Sequence, residues 1–224
     1  MTGKTHRVGG TLGCLVGFSV MQSKGLLIDG ANPLTQLLVM YPFAVYGGVF
    51  SDLDHNAHSI PSKDMFSVGV NKLLHLTTPM RKASGKELSF PLSVFDAKHR
   101  SWQTHSDLFL ISLLLLYNSV IHMGYSANTT MLSTVLVGFI LGVVSHIVLD
   151  MLTTEGIPSV ILQLASRLFN VRLPKKLRFV PKLSIFATDT KWEHFIKYLM
   201  SIISILLSMR LVYLASPYRL VFNL

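Results

Sequence analysis

A chain of 224 residues that is 50% hydrophobic and only 14% charged, with a mean hydropathy of +0.49, is too apolar for an ordinary soluble domain of its size. Its single cysteine, Cys14, excludes an intrachain disulfide framework and any Cys-rich zinc site. The net charge of +9 would suggest nucleic acid in a soluble protein. In so apolar a chain it points instead to basic loops that face anionic lipid, and no direct nucleic-acid partner is expected.

Lys4 and Arg7 precede the first of five apolar segments, Val8 to Met21. No small-residue cleavage site follows it, so a cleaved signal peptide is not expected. The others are Leu34 to Phe50, Leu108 to Met123, Met131 to Leu149 and Phe195 to Ala215. The last three approach or reach the ~20 residues that a spanning helix needs. The first two are short and Gly-rich, and Gly9, Gly10, Gly13 and Gly17 would let a neighbouring helix pack closely. The expected fold is an all-α membrane protein, a bundle of about five transmembrane helices, with residues 1–224 as one integral-membrane domain.

The loops 1–7, 51–107 and 150–197 carry every Lys and Arg except Lys24, Arg210 and Arg219. The positive-inside rule then places the N-terminus and both long loops in the cytoplasm, with the chain in the inner membrane. Trp102 and Trp192 precede helices on that side, as interfacial anchors do. Thr104 and Asp107 read as the cap of the third spanning helix. Ile157, Ile161, Leu164 and Leu168 recur at helical spacing, and Phe66, Val70, Leu73 and Leu74 do so more weakly. Both stretches read as amphipathic interfacial helices in the cytoplasmic loops. Pro174 to Thr190 reads as extended loop or a short hairpin.

Candidate ligands cluster on this topology. Ser51-Asp52-Leu53-Asp54-His55 sets two carboxylates and an imidazole at the end of the second segment. Carboxylates this close repel unless a cation or a shared proton lies between them. His6 precedes the first segment, His99 and His105 the third, and Glu193 and His194 the fifth; His146 and Asp150 close the fourth. Of all histidines and acidic residues, only His122 and Asp29 fall on the other side. His146 and Asp150 stand i, i+4, so one helix face can offer both to one ion. Taken singly, His6, His58, His75 and His194 read as solvated or interfacial helix ends. Asp52, Asp54, His105, His146 and Asp150 together read as a metal site. With no soft sulfur ligand among them, Zn or Mn suits it, as one or two ions.

These motifs give the chain a resemblance. Thr5-His6, Ser51-Asp52-Leu53-Asp54-His55, His99-Arg100, Thr104-His105-Ser106, Ser145-His146 with Leu149-Asp150, Thr153 and Gly156, and Trp192-Glu193 are similar to those of the LexA-binding, inner-membrane-associated metal-dependent hydrolases. The pattern departs at Ser51, where a Pro is common, and at Ser101, where a Gly is frequent. The resemblance implies a metal site that includes His6 and His99, and a DNA-damage regulator as possible protein partner.

The expected function is a membrane-embedded metal-dependent hydrolase at the cytoplasmic face. His55 is a further ligand candidate, Asp54 or Glu193 would act as general base, and Arg100 would clamp an anionic group. Membrane lipid is the expected partner, anionic phospholipid at the basic loops, and a phospholipid or other amphiphilic phosphoester the expected substrate. Two alternatives belong to other classes: a divalent-metal or proton transporter, and a non-catalytic membrane adaptor with a structural ion.

Overall fold

The structure, a computed structural model, describes residues 2–27, 32–55, 63–86, 92, 100–124, 126–153, 155–174, 176–179 and 190–215. Its long helices are α1 (Gly3–Ser23), α2 (Pro33–Phe50), α6 (Asp107–His122), α7 (Ala127–Met151) and α9 (Lys191–Ala215). Short helices lie between them: α3 (Met65–Leu74), α4 (Thr78–Ser84), α5 (Trp102–His105) and α8 (Val160–Leu168). A 3-10 turn over Ser51–Asp54 follows α2 directly. Two-residue strands β1 (Ile157–Pro158) and β2 (Lys176–Leu177) pair antiparallel.

Three described helices, Pro33–Asp54, Asn128–Met151 and Lys191–Leu214, are long and apolar enough to cross a membrane. α6 is apolar but has only 16 residues. α1 has 21 residues yet is diluted by glycine and polar side chains. The expected segments are therefore all helical, while only three reach spanning length and apolarity together.

Local sequence explains several boundaries. Asn32 caps α2 by accepting from the Leu34 amide, with Pro33 in the first turn where its missing N–H costs nothing. Ser126 and Thr129 form a reciprocal capping box at the start of α7. Ser106, not Thr104, caps α6 by accepting from the Phe109 amide at 3.3 Å. Asp107 stands in the first turn of α6, as expected, and also accepts from Val160 N at 2.9 Å and Ile161 N at 3.3 Å at the start of α8, whose own cap is Ser159. Ile157 is not part of an amphipathic helix. It is buried in β1, paired with Leu177 across the two-stranded ribbon. The helix begins at Val160, and its Ile161, Leu164 and Leu168 are exposed. Of the stretch from Pro174 to Thr190, residues 176–177 pair with β1 rather than closing a local hairpin, and 181–189 lie outside the described residues.

α7 is the axis of the bundle. α2 packs on it most extensively, α1 packs on both, α9 leans on α1, and α6 leans on α7. Half of the apolar window of α7 is buried against 17% of that of α9, so α9 is peripheral. Its Ile202, Ile205, Leu206, Met209 and Val212 are exposed, as suits a helix facing lipid. The three central helices touch backbone to backbone. A Cβ on Gly142 would lie 2.1 Å from the carbonyl oxygen of Ala44, one on Gly47 2.3 Å from that of Phe139, and one on Gly10 2.4 Å from that of Ala44. Glycine is the residue that permits this approach in a membrane interface. Cys14, Leu15, Phe18, Met40 and Ala44 form the core on one side of these contacts. The polar cluster lies on the other, at the end of the bundle where α1 begins and α2 and α7 finish.

Gly142→Ala should lower stability in detergent by about 1–3 kcal/mol through overpacking, despite a gain in helix propensity of about 1 kcal/mol. Gly69→Ala in α3, where a Cβ meets nothing within 4 Å, should be neutral or stabilising. Thermal unfolding of both variants checks the contrast.

Candidate metal centre

The centre forms where four chain segments converge. α7 supplies His146 and Asp150 one turn apart, the 3-10 turn supplies Asp52 and Asp54, α5 supplies His105, and the first turns of α1 supply His6. All are buried: His105 and His146 are 0% exposed, His6, Asp54 and Asp150 1%, and Asp52 7%. Asp52 is thus the member nearest to solvent.

Hydrogen bonds settle which ring nitrogen faces inward. His146 Nδ1 lies 2.8 Å from the carbonyl oxygen of Gly48. A carbonyl only accepts, so Nδ1 carries the proton and donates. His105 Nδ1 lies 3.1 Å from Asp54 Oδ2 and donates to that carboxylate. Both Nε2 atoms then point at one another across 3.2 Å. Two lone pairs cannot face each other at that distance; the gap takes a proton or a cation.

The surrounding separations fit a cation. Zinc ligands at about 2.0–2.1 Å in tetrahedral array stand about 3.4 Å apart. His105 Nε2 is 3.7 Å from Asp52 Oδ1 and 3.6 Å from Asp150 Oδ2. His146 Nε2 is 3.8 Å and 3.5 Å from the same two oxygens. Two overlapping groups could hold an ion, His105 with His146 and Asp150, and His6 with Asp52 and His146. Both use His146, whose Nδ1 is engaged, so an ion in either group would take its Nε2. His6 stacks on His146 at 3.8 Å and sets Nε2 3.5 Å from Asp150 Oδ1, a fifth donor. Its Nδ1 is buried with no hydrogen-bond partner among the described residues.

The neighbours orient these ligands. Asp54 Oδ2 accepts from Ser101 N at 2.8 Å, Ser101 Oγ at 2.9 Å and Thr104 Oγ1 at 2.8 Å as well as from His105. That makes Asp54 the carboxylate behind an imidazole, an arrangement that fixes the tautomer and raises basicity. Arg100 donates to Asp150 Oδ1 at 3.0 Å, Thr153 Oγ1 at 3.0 Å and Gly156 O at 3.2 Å, and pairs with Glu155 at 3.3 Å. It steadies Asp150 rather than standing open for an anion. Glu193 is 1% exposed and accepts from Thr5 Oγ1 at 2.6 Å and from the Thr2 amide. It ties α9 to the start of α1, one residue from His6. The His55 side chain belongs to neither ligand group; its carbonyl accepts from Asn71 at 2.7 Å. His99 lies outside the described residues.

Three carboxylates, Asp52, Asp54 and Asp150, meet one guanidinium, Arg100. With neutral imidazoles that leaves a charge of −2, which one divalent cation cancels. Without a metal, a proton serves in part. Burial by itself would lower the pKa of His105, but hydrogen bonds to Asp52 and Asp54 outweigh it and hold the imidazole up at about 9. Sequence reasoning missed Ser101, Thr104 and the Gly48 carbonyl as supports. Thr104 adjoins His105 and Gly48 lies near the end of the apolar run, but neither position announces what it bonds.

A model of the YdjM inner membrane protein family matches residues 1–215. Among curated proteins and among solved structures nothing matches the chain.

The pKa of His105 is raised by folding, so its proton stabilises the fold fully below about 6.5 and that contribution is lost as pH rises through about 9. Melting of chelator-treated protein should fall between those values. His105→Gln should flatten that part of the curve.

Proposed function

With residues 1–215 matched, the chain belongs to the YdjM inner membrane protein family, and on that premise we propose a metal-dependent hydrolase that works at the surface of the inner membrane. The observation that carries it is the pair of Nε2 atoms 3.2 Å apart, flanked by Asp52 and Asp150 in a cluster that lacks two positive charges. One divalent ion, Zn or Mn, would be held by His105, His146, Asp52 and Asp150, with His6 as a further donor. When bound, the ion would polarise a substrate oxygen and acidify water toward a pKa of about 7.

The chain's own residues do the rest. Asp54 and the Gly48 carbonyl keep both Nδ1 protons in place, so both Nε2 lone pairs stay directed inward. Arg100 fixes Asp150. Asp52, the most exposed of the carboxylates in the cluster, marks the side from which water and substrate enter. In this reading α1, α2, α6, α7 and α9 all cross the bilayer, and the basic loops and the site face the cytoplasm. A site at the ends of spanning helices, beside α3 and α8 with their exposed Phe66 and Leu164, supports an amphiphilic phosphoester such as a phospholipid as substrate.

The burial of His105, His146 and Asp150 to 1% exposure or less favours a second reading, a structural ion that locks helix ends together in a non-catalytic adaptor. The two separate experimentally. Purified protein should carry one divalent ion per chain, lost in His146→Ala and in Asp150→Asn. Asp54→Asn should keep the site but weaken binding by about 10–100-fold. A natively folded preparation that binds no metal ends both readings. Loaded protein should hydrolyse at least one member of a phospholipid and phosphoester panel, and chelation or His146→Ala should abolish it. Bound metal with no turnover anywhere on the panel selects the structural ion.

A further inference from the structure

α2 and α6 both lean on α7 but barely touch one another. The gap between them is a groove of about 700 Å³, within the range of small-molecule sites. Val135 and Phe139 of α7 form its floor, Phe43, Tyr46 and Phe50 of α2 one wall, and Leu116 of α6 the other. Phe50 stacks on Phe109 at 6.0 Å and meets Phe139 edge-on at 5.0 Å. Two of these rings lie close along the chain to the metal centre: Asp52 follows Phe50 by two residues and Phe109 follows His105 by four.

The groove is cut into helices of an inner membrane protein, so the medium at its mouth is hydrocarbon. Left empty, its lining would forfeit dispersion contacts along its length. From Pro42 to Phe50 the α2 wall rises about 12 Å, close to the ~15 Å depth of one leaflet's half of the hydrocarbon core. The groove's polar lining, among the described residues, is confined to Tyr46 and Asp64, where α3 begins. There Asp64 and Phe66, at the start of α3, close the groove, and Tyr46 Oη meets Ser67 Oγ at 2.8 Å. Ser67 in turn donates its amide to Asp64 at 2.8 Å. An apolar slot about one leaflet deep, polar among its described lining residues only at Tyr46 and Asp64, suits the acyl chain of a membrane lipid.

We infer that this groove seats one acyl chain of a bilayer lipid, with the lipid's head end at α3. α3 is also joined to the turn that carries Asp52, because Asn71 Nδ2 donates to the carbonyls of Leu53 at 2.6 Å and His55 at 2.7 Å. The seated lipid's ester region therefore lies on the metal-centre side of the bundle. The inference needs spanning helices, not a bound ion, and so stands apart from the hydrolase reading.

The test is photolabelling in vesicles of phosphatidylglycerol and phosphatidylethanolamine, a trace of the latter carrying a diazirine in its acyl chain. Adducts mapped by mass spectrometry should concentrate on Leu116, Val135 and Phe139, several-fold above Ile202 and Leu206 on the exposed face of α9. Equal labelling of the two faces overturns the inference. Val135→Trp, which fills the groove, should cut the Leu116 adducts several-fold, whereas Leu206→Trp should not. If Val135→Trp does not fold, the map of the unsubstituted protein decides alone. Groove labelling should persist in His146→Ala. Labelled protein that binds no metal would leave the groove standing and remove the hydrolase.

Discussion

The near-contact of three backbones governs this molecule. α1, α2 and α7 approach until the carbonyls of Ala44 and Phe139 occupy the space that side chains at Gly10, Gly47 and Gly142 would need. Lipid tails are as apolar as the helix surfaces, so burial of hydrocarbon gives such helices little reason to associate. Close packing over glycine supplies contact that branched side chains would hold apart. The polar end of the bundle depends on that distance. The Gly48 carbonyl reaches His146 and His6 lies flat against the same ring because no Cβ separates α1, α2 and α7 at this level.

Polar groups placed so deep are stable only when each is answered. Here the answers interlock. Asp54 gathers Ser101, Thr104 and His105, Arg100 gathers Asp150, Thr153 and the Gly156 carbonyl, and Glu193 gathers Thr2 and Thr5. The arrangement orients two imidazoles toward one point and surrounds that point with negative charge. The two inward nitrogens face one another across a gap that takes a proton or a cation. A cation resolves the conflict in charge and in geometry together, and this joins the packing of the helices to the proposed chemistry.

Much of this was legible beforehand, for identifiable reasons. Apolar runs announce helices in lipid because backbone hydrogen bonds have no other partner there, so the five long helices fall close to the five apolar segments. His146 and Asp150 were readable as a pair because i, i+4 spacing on a helix is a fixed distance. Asp52 stood out because two carboxylates within three residues need a counter-charge. Other readings failed where a short-range rule met a longer-range partner. Thr104 looks like the cap of α6 by spacing, yet it turns to Asp54 and leaves the cap to Ser106. Ile157 fits a helical period but pairs with Leu177.

What the sequence determined by itself is membership in a class. Composition makes the chain a helical membrane protein, and the placement of His and Asp at helix ends puts its polar chemistry on one side. Tertiary structure decided the division of labour. Asp52 and Asp54 are two residues apart and chemically identical, but one edges the ion-sized gap and the other stands behind an imidazole. Arg100 and Glu193 are held by Asp150 and by the first turn of α1, not left open. Spacing along one helix is set by covalent geometry and can be read from a string. The distance between atoms on different helices is set by how closely their backbones pack, and that exists only once the bundle has formed.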